Sequence, residues 1–282
     1  MRCLFCKEPS DGSRSIEHVI PESLGNHSLL LPAGVVCDKC NNYFARKVEA
    51  PFLNSPAIRL LRHNQGVQSK RGKVPTMRAL APGHGLATMY APTHTTPRFI
   101  TFDNASQATR WLTSATRKSL LTEDVVEPPR RQSTSRFLAK VALEFIATRL
   151  EEFPGGLEYL IGERDIDPLR DHARRGSTPN WPVSVRRIYS ANARWREGSG
   201  HVQKVWEADF LQDDAGAQYV IVAIFGIEFA IHLGGPDISG YRRWLVLNGG
   251  RSPLYQGRYA SQLEARAGSF DRRHQAIILA AS

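Results

Sequence analysis

The residues best suited to chemistry lie near the amino terminus, between and directly after two pairs of cysteines. Glu17 and His18 are adjacent, and Asn41 and Asn42 directly follow the second cysteine pair. Carboxylate and amide oxygens are good ligands for Mg²⁺ or Mn²⁺, and a neutral imidazole beside such an ion can take a proton from water. These groups together suffice for metal-assisted hydrolysis of a phosphodiester bond, with His18 activating the nucleophile.

The four cysteines form two Cys-x-x-Cys pairs separated by 30 residues. They are Cys3, Cys6, Cys37 and Cys40. Two such pairs supply four thiolates for a closed tetrahedral Zn²⁺ site, which stabilises a segment too small to have its own core. A redox Cys-x-x-Cys motif is the alternative, but two pairs without a thioredoxin-like βαβ context favour structural zinc. Two disulfides are disfavoured in an intracellular chain, because the cytosol keeps thiols reduced.

Short elements must position these residues. Residues 28–36 predict two short extended pieces that lead to the second cysteine pair. Asp38 is predicted to cap a helix over residues 41–50, which Pro51 interrupts. Adjacent side chains point to opposite faces of a strand, so a strand end or a bulge is needed to turn the carboxylate and the imidazole toward one site.

The order of these motifs closely resembles the zinc-containing branch of the HNH endonucleases. The motifs are Cys-x-x-Cys, then Glu-His-x-x-Pro-x-x-Leu-Gly over residues 17–25, then Cys-x-x-Cys-Asn. The resemblance implies a ββα-metal fold, in which the cysteines hold a β-hairpin and a helix at the right separation. It also implies that His18 is the general base, that Glu17 binds a divalent metal and that Asn41 is the preferred ligand from the helix. Asn42 is the close alternative, because the sequence does not fix the rotation of the helix.

The sequence departs from the family's pattern in places. Glu17 stands where Asp is commoner, and the helix residue is Asn where many members have His. The middle Asn that braces the loop in many members has no clear counterpart, because Asn26 comes too early and Pro32 lies near the expected position. His27 and Glu49 are further candidates for contacts with phosphate or metal, but a surface histidine and a solvated helix residue are the favoured interpretations.

The net charge of +10 favours a polyanionic partner. One basic cluster has no acidic residue within it and comprises Arg59, Arg62, Lys70, Arg71 and Lys73. A second cluster is opposed only by Asp171 and comprises Arg170, Arg174, Arg175, Arg186 and Arg187. Such clusters neutralise phosphates and release counterions. Charge therefore supports a nucleic-acid partner, with DNA as the expected substrate, but does not identify a reaction.

The sequence predicts an α+β protein with a small zinc-stapled ββα-metal head and a larger α+β body that contains an antiparallel sheet. We divide the chain into a nuclease domain of residues 1–55 (the head), a basic connector of residues 56–100 and a body of residues 101–282. Connector or irregular β structure is expected over residues 63–100. An amphipathic helix is predicted over residues 133–150.

The sequence pattern in the last part of the body predicts β-strands. Residues 202–211 alternate in polarity, residues 218–233 are strongly apolar and residues 241–248 are a further candidate strand. A small antiparallel sheet is the expected arrangement, and its role is not indicated by any motif.

A metal-dependent endonuclease that hydrolyses DNA is the leading hypothesis, with structural Zn²⁺ and catalytic Mg²⁺ or Mn²⁺. The alternative is a catalytically silent zinc-dependent nucleic-acid-binding module, which would not need Glu17, His18 and Asn41 together. A third hypothesis is an interaction protein that docks a partner, or a second copy, through the body and carries the nuclease as a toxic effector in bacterial defence. No apolar run approaches the roughly 20 residues needed to cross a bilayer, and no signal-peptide pattern is present, so a cytoplasmic protein is expected.

Overall fold

We describe the protein from a computed structural model, which defines residues 1–91, 99–115, 118–122, 131–176, 181–193, 195–197 and 200–255. The end of the predicted body, residues 256–282, lies outside the described residues, as do residues 92–98 of the predicted connector. The fold combines helices with antiparallel sheets, which confirms the predicted α+β class. No helix in the described ranges is long and apolar enough to cross a membrane.

The head contains two short strands followed by a helix. Strand β1 (Glu17–His18) pairs antiparallel with β2 (Leu30–Leu31), and helix α1 (Asp38–Phe44) follows the second cysteine pair. The register places the imidazole-bearing residue of β1 opposite Leu30. The expected order of two strands and a helix is therefore formed, although each strand has only two residues.

The start of α1 differs from the prediction. Cys37, not Asp38, is the N-cap, and its Sγ accepts a hydrogen bond from the Cys40 amide at 3.4 Å. Asp38 is the first helical residue, and its Oδ1 accepts hydrogen bonds from the amides of Arg14 at 3.2 Å and Ser15 at 2.9 Å. The sulfur takes the capping position because the same residue must present its Sγ to the other cysteines.

Pro51 does not end the helix, contrary to the prediction. A π-helical segment, Ala45–Glu49, follows α1 and leads directly into α2 (Ala50–Leu53). Proline has no N–H to bond to the carbonyl four residues before it. The wider turn accommodates this position, since the Ala50 amide bonds instead to the Ala45 carbonyl. Such π segments occur often at functional sites, and this one carries Glu49.

The predicted connector is more regular than expected. Its three strands form an antiparallel sheet in the order β3-β4-β5. Its elements are α3 (Pro56–Asn64), β3 (Met77–Ala81), β4 (Gly85–Tyr90) and β5 (Phe99–Phe102), and α4 (Ala105–Thr113) follows them.

The body is built on one central helix and a four-stranded antiparallel sheet. The helices are α5 (Arg131–Leu150), α6 (Gly156–Gly162) and α7 (Asp167–Arg175). The later strands are β6 (Val183–Arg187), β7 (Trp195–Glu197), β8 (Gly200–Val202), β9 (Trp206–Gln212), β10 (Gln218–Ile224) and β11 (Ile227–His232), followed by helix α8 (Ser239–Leu247). The sheet has the order β6-β11-β10-β9, while β7 and β8 form a separate hairpin.

Two predicted strands of the body need correction. Residues 218–233 form a hairpin rather than one strand, with a turn at Phe225 and Gly226, whose φ angles are 48° and 77°. A Cβ on Gly226 would lie 2.1 Å from the Tyr189 carbonyl oxygen, so this turn requires glycine. Residues 241–248 were predicted as a strand but lie mainly in helix α8, which buries Tyr241 completely.

Helix α5 confirms the helix predicted over residues 133–150, but it is not amphipathic. Residues 137–139 and 141–143 are all fully buried, because the head covers one side of the helix and the sheet covers another. A helix that is buried all round is normally apolar all round. Lys140 and Glu144 are exceptions, since both are fully buried and charged by type.

Aromatic side chains join the head to the body. Phe52 of α2 stacks on Phe137 of α5, with ring centroids 4.0 Å apart. Phe52 also contacts Phe229 of β11 edge to face, at 5.9 Å. The head, α5 and the sheet therefore share one hydrophobic core.

Candidate functional site

The four cysteines come together at the start of the head. The Sγ atoms of Cys3, Cys6, Cys37 and Cys40, called here the cysteine cluster, all lie within 4.8 Å of one another. None of them forms a disulfide. The Cys37 amide donates to the Cys3 Sγ at 3.3 Å, in addition to the bond that caps α1. The cysteines are therefore placed to bind a metal ion.

The electrostatics of the cysteine cluster favour a cation. The side-chain hydrogen bond with Cys40 lowers the pKa of the Cys3 thiol to about 4. Burial raises the pKa of Cys6 to about 11, and the bond to Cys3 together with burial raises the pKa of Cys40. Without a bound ion, the protein therefore favours the thiolate form of Cys3 and opposes ionisation of Cys6 and Cys40. A divalent cation removes that opposition, because it stabilises every thiolate that it binds.

A buried arginine ties the first cysteine pair to the body. Arg170 of α7 is 1% exposed, and its Nε donates to the Leu4 carbonyl at 3.0 Å. Its Nη1 donates to the Glu163 carbonyl at 2.7 Å. Lys7 forms an ion pair with Asp167 at 2.6 Å beside it. Arg170 was predicted to belong to a basic surface cluster, and the structure corrects this, because its donors are used inside the protein.

Other members of the predicted basic clusters are also used internally. Arg186 binds Glu228, a carboxylate that is 1% exposed and also accepts a hydrogen bond from the Tyr241 hydroxyl at 2.7 Å. Arg62 is 6% exposed, and Arg59 donates to the Thr76 carbonyl at 2.7 Å. The exposed members are Lys70, Arg71, Lys73 and Arg175. Only part of each predicted cluster is therefore an open basic surface.

Glu17 is buried and bound by a lysine from the body. Its Oε1 lies 2.7 Å from the Nζ of Lys140 on α5, and the same Nζ donates to the His18 carbonyl at 3.1 Å. Its Oε2 is buried and has no hydrogen-bond partner among the described residues. A buried carboxylate oxygen without a partner costs free energy. A cation at this oxygen would remove the cost, so the environment of Glu17 fits a metal ligand.

Lys140 contacts two further carboxylates. Its Nζ lies 2.7 Å from Glu49 Oε1 and 2.9 Å from Glu144 Oε2, and its side chain is 0% exposed. We call Glu17, Glu49 and Glu144 around Lys140 the carboxylate cluster. The structure thus places Glu49, expected to be solvated, inside the protein beside Glu17, because the π segment and α2 pack against α5.

Burial and neighbouring opposite charges shift the pKa values of Lys140, Glu17 and Glu144 in opposite directions. Burial by itself lowers the pKa of Lys140, but the carboxylates, Glu144 foremost, hold that pKa well above its ordinary value. Burial raises the pKa of Glu144 well above its ordinary value and also raises the pKa of Glu17, and attraction to Lys140 offsets only part of this. The ammonium therefore stays charged, while the cluster holds more carboxylates than one ammonium can neutralise.

The remaining predicted site residues are more open. His18 is half-buried on β1, and no hydrogen bond joins its ring to another described residue. On α1, Asn41 is half-buried and Asn42 is exposed. The strand therefore presents its carboxylate to the core and leaves its imidazole less buried, as the alternation of a strand requires.

Asn26 closes the loop between β1 and β2. It is 0% exposed, and its Nδ2 donates to the carbonyls of Ile20 at 2.7 Å and Leu29 at 2.8 Å. Its Oδ1 accepts from the amides of Ser28 at 3.1 Å and Leu29 at 2.8 Å. The expectation that no residue takes the bracing role was wrong, because the loop is compact enough for this early position to span it. His27 is exposed, in agreement with a surface histidine.

Sequence reasoning missed Lys140 completely. The available signal was a lysine and a glutamate at positions i and i+4 inside the otherwise apolar run of residues 137–147. Charged side chains are almost never fully buried unless they are paired. Such a pair in a buried helix therefore indicates a polar partner elsewhere in the fold.

Comparison with known proteins agrees with the motif order. No curated protein and no solved structure gave a match to the chain. Residues 3–57 match the family model described as HNH endonuclease. The matched segment contains the cysteine cluster, β1, β2 and α1, and it ends before α5. The amino-terminal head of this chain is therefore similar to the HNH endonucleases over these residues.

Proposed function

We propose that the protein is a metal-dependent endonuclease that hydrolyses phosphodiester bonds in DNA. The observation that carries this proposal is the unpartnered, buried Oε2 of Glu17, which precedes the half-buried His18 on β1 within the segment that matches the HNH endonucleases. A buried carboxylate oxygen without a donor is a natural position for a cation, and an imidazole beside a bound cation is suited to general-base chemistry.

Each group has a proposed role. His18 takes the proton from the attacking water, and its ring is free of hydrogen bonds to other described residues. Glu17, through Oε2, and Asn41 hold Mg²⁺ or Mn²⁺, with Asn42 as the alternative from the helix. When bound, the ion stabilises the negative charge that develops on the scissile phosphate and on the leaving oxygen. The protein contributes a fixed carboxylate and a base on the same short strand.

The ion in the cysteine cluster is proposed to be structural Zn²⁺. The four Sγ atoms, within 4.8 Å of one another, would supply all four ligands that a structural Zn²⁺ takes, which would leave no position for substrate. This ion and the catalytic ion therefore have separate ligands and separate roles.

The head, the connector and the body have different proposed roles, and catalysis belongs to the head, residues 1–55. The connector of residues 56–100 carries the exposed Lys70, Arg71 and Lys73, which suit contacts with DNA phosphates. The body of residues 101–282 would position the head on its substrate. A silent nucleic-acid-binding module would use the same cations but has no need for an unpartnered carboxylate oxygen.

The test is nicking of supercoiled plasmid by the wild type and by His18→Ala, with Mg²⁺ or Mn²⁺ and with EDTA. We expect metal-dependent nicking that falls by about 10²- to 10⁴-fold in His18→Ala, the usual contribution of a general base. His84→Ala, outside the matched segment in the turn before β4, is the matched control and should nick normally. Zinc content and the unfolding midpoint show whether each variant is folded.

The other outcomes are informative. If wild type and His18→Ala nick equally, the active site lies elsewhere. If both bind DNA equally and neither nicks with any of these metal ions, the protein is a binding module instead.

A further inference from the structure

The ammonium of Lys140 is surrounded by oxygens of the head and of its own helix. It lies 2.7 Å from Glu17, 2.7 Å from Glu49 and 2.9 Å from Glu144, and it donates to the His18 carbonyl at 3.1 Å. Two of these four oxygens belong to the adjacent residues assigned to metal binding and to proton transfer. Lys140 therefore contacts both at once, from a position outside the segment that matches the HNH endonucleases.

A buried lysine at this position has a cost that the fold must offset. Removing an ammonium from water costs several kcal/mol, even after the protein relaxes around it. The neighbouring residues 137–139 and 141–143 are all buried and apolar, so an apolar residue at position 140 would suit the helix. The presence of a lysine here is therefore explained by the oxygens that it binds and not by the packing of α5.

The head by itself provides little support for Glu17. This residue lies on a two-residue strand whose described sheet partner also has two residues. Glu17 Oε1 has its hydrogen bond from Lys140, whereas Oε2 has no partner among the described residues. One donor therefore fixes one oxygen of the carboxylate and leaves the other for a ligand.

We propose that Lys140 is a positioning residue of the active site. By binding Glu17 Oε1 and the His18 carbonyl, it fixes the metal-binding carboxylate and the backbone of the general base relative to each other. The proposal rests on the nuclease function proposed above and makes α5 of the body a part of the active site. Groups that orient a metal ligand from behind typically contribute 10- to 100-fold to metal affinity or activity.

The experiment measures equilibrium binding of Mn²⁺ to the full chain by electron paramagnetic resonance of the free ion, with the zinc content verified. The variant Lys140→Met with Glu144→Met removes the buried i,i+4 pair together, so that Glu144 is not left without its partner. We expect Mn²⁺ to bind about 10- to 100-fold more weakly, with a matching rise in the Mn²⁺ concentration that gives half-maximal nicking.

Arg136→Met is the matched control on the same helix. Arg136 also joins α5 to the head, because its Nη2 donates to the Tyr43 hydroxyl at 2.8 Å and to the Arg174 carbonyl at 2.6 Å. Its loss weakens the contact between body and head without removing a partner of Glu17. We expect a lower unfolding midpoint and unchanged affinity for Mn²⁺.

Equal or tighter Mn²⁺ binding by a folded Lys140→Met, Glu144→Met variant would overturn the proposal, and tighter binding would show that the ammonium competes with the ion. Glu17→Gln separates this result from failure of the proposed function. If Mn²⁺ binding is also unchanged in Glu17→Gln, the assignment of Glu17 as a metal ligand fails. If it is lost in Glu17→Gln alone, only the role of Lys140 fails.

A measurement on the wild type covers the case in which the double variant does not fold. In protein labelled with ¹³C-lysine, substoichiometric Mn²⁺ should broaden the Lys140 side-chain resonance before those of the exposed Lys70 and Lys73. If the Lys140 resonance is unaffected when Mn²⁺ binds, the ion is not beside Glu17 and the proposal is overturned.

Discussion

The cysteine cluster and the carboxylate cluster are both buried polar centres of the head, but they are assembled from different parts of the chain. The cysteine cluster takes all its ligands from residues 3–40. The carboxylate cluster joins Glu17 to Lys140, which lies 123 positions later in the chain. A metal ion can therefore organise the first centre locally, whereas the second forms only when α5 has docked on the head. We therefore expect the cysteine cluster to stabilise the head locally, whereas the carboxylate cluster depends on the contact between head and body.

The largest effect is expected when the local centre is broken. Cys40→Ser removes one of four ligands, and loss of a structural ion should lower the free energy of unfolding by more than about 5 kcal/mol or unfold the head. Denaturant unfolding together with the zinc content measures this. Lys39→Ala, at an exposed position between the cysteines, should change the stability by less than about 0.5 kcal/mol. If a zinc-free Cys40→Ser protein had the same free energy of unfolding as the wild type, the cysteine cluster would not stabilise the head.

A smaller loss is expected at Asn26, which is also local but uses no ion. Asn26→Ala removes four hydrogen bonds, among them those to the buried Ile20 carbonyl and from the partly buried Leu29 amide. We expect a loss of about 3 kcal/mol and weaker nicking, because the loop follows the strand that carries the base. The neighbouring His27→Ala should leave the stability nearly unchanged. A stable Asn26→Ala protein would show that the cysteine cluster alone holds the hairpin.

An effect of the opposite sign, which grows from near zero at acidic pH, is expected at Glu144 in the long-range centre. Its pKa is raised by burial, so the folded state holds a proton that the unfolded state releases above its ordinary pKa. Stability is therefore lost as the pH rises from the unfolded pKa toward the folded one. Glu144→Gln, which cannot ionise, escapes this loss.

The free energy of unfolding of Glu144→Gln should therefore improve relative to wild type as the pH rises above the ordinary pKa of a glutamate, by up to about 1.4 kcal/mol per pH unit. Urea unfolding at several pH values, with zinc present, checks this slope. A difference that does not vary with pH would mean that Glu144 is ionised in the folded protein, and that the ammonium neutralises it fully.

The sequence predicted those parts of the candidate site that are recognisable from the spacing of their residues along the chain. Two Cys-x-x-Cys pairs predict that four sulfurs come together, and the four Sγ atoms lie within 4.8 Å of one another. Glu17 and His18 were predicted as site residues because their order relative to the cysteines resembles that of a known family, and both lie within the matched residues 3–57. The role of Asn26 was not predicted, since it depends on how tightly the loop folds.

Elements in the body were predicted less well, for a physical reason. The apolar run of residues 218–233 does not show where a turn divides it. Residues 241–248 fit a strand pattern, but in the fold they lie mainly in a helix that buries Tyr241. Helix α5 was predicted from its apolar spacing, but burial on all sides depends on the head and the sheet, which lie far away in the sequence.

The sequence by itself determined the cysteine cluster of the head, because potential metal ligands at short, regular spacings need little of the remaining fold to come together. Only the tertiary structure decided that Glu17 is held by Lys140, that Glu49 points inward and that Arg170 is not a surface cation. Charges attract whichever partners the packing brings near, and no local pattern records partners that are more than a hundred residues apart.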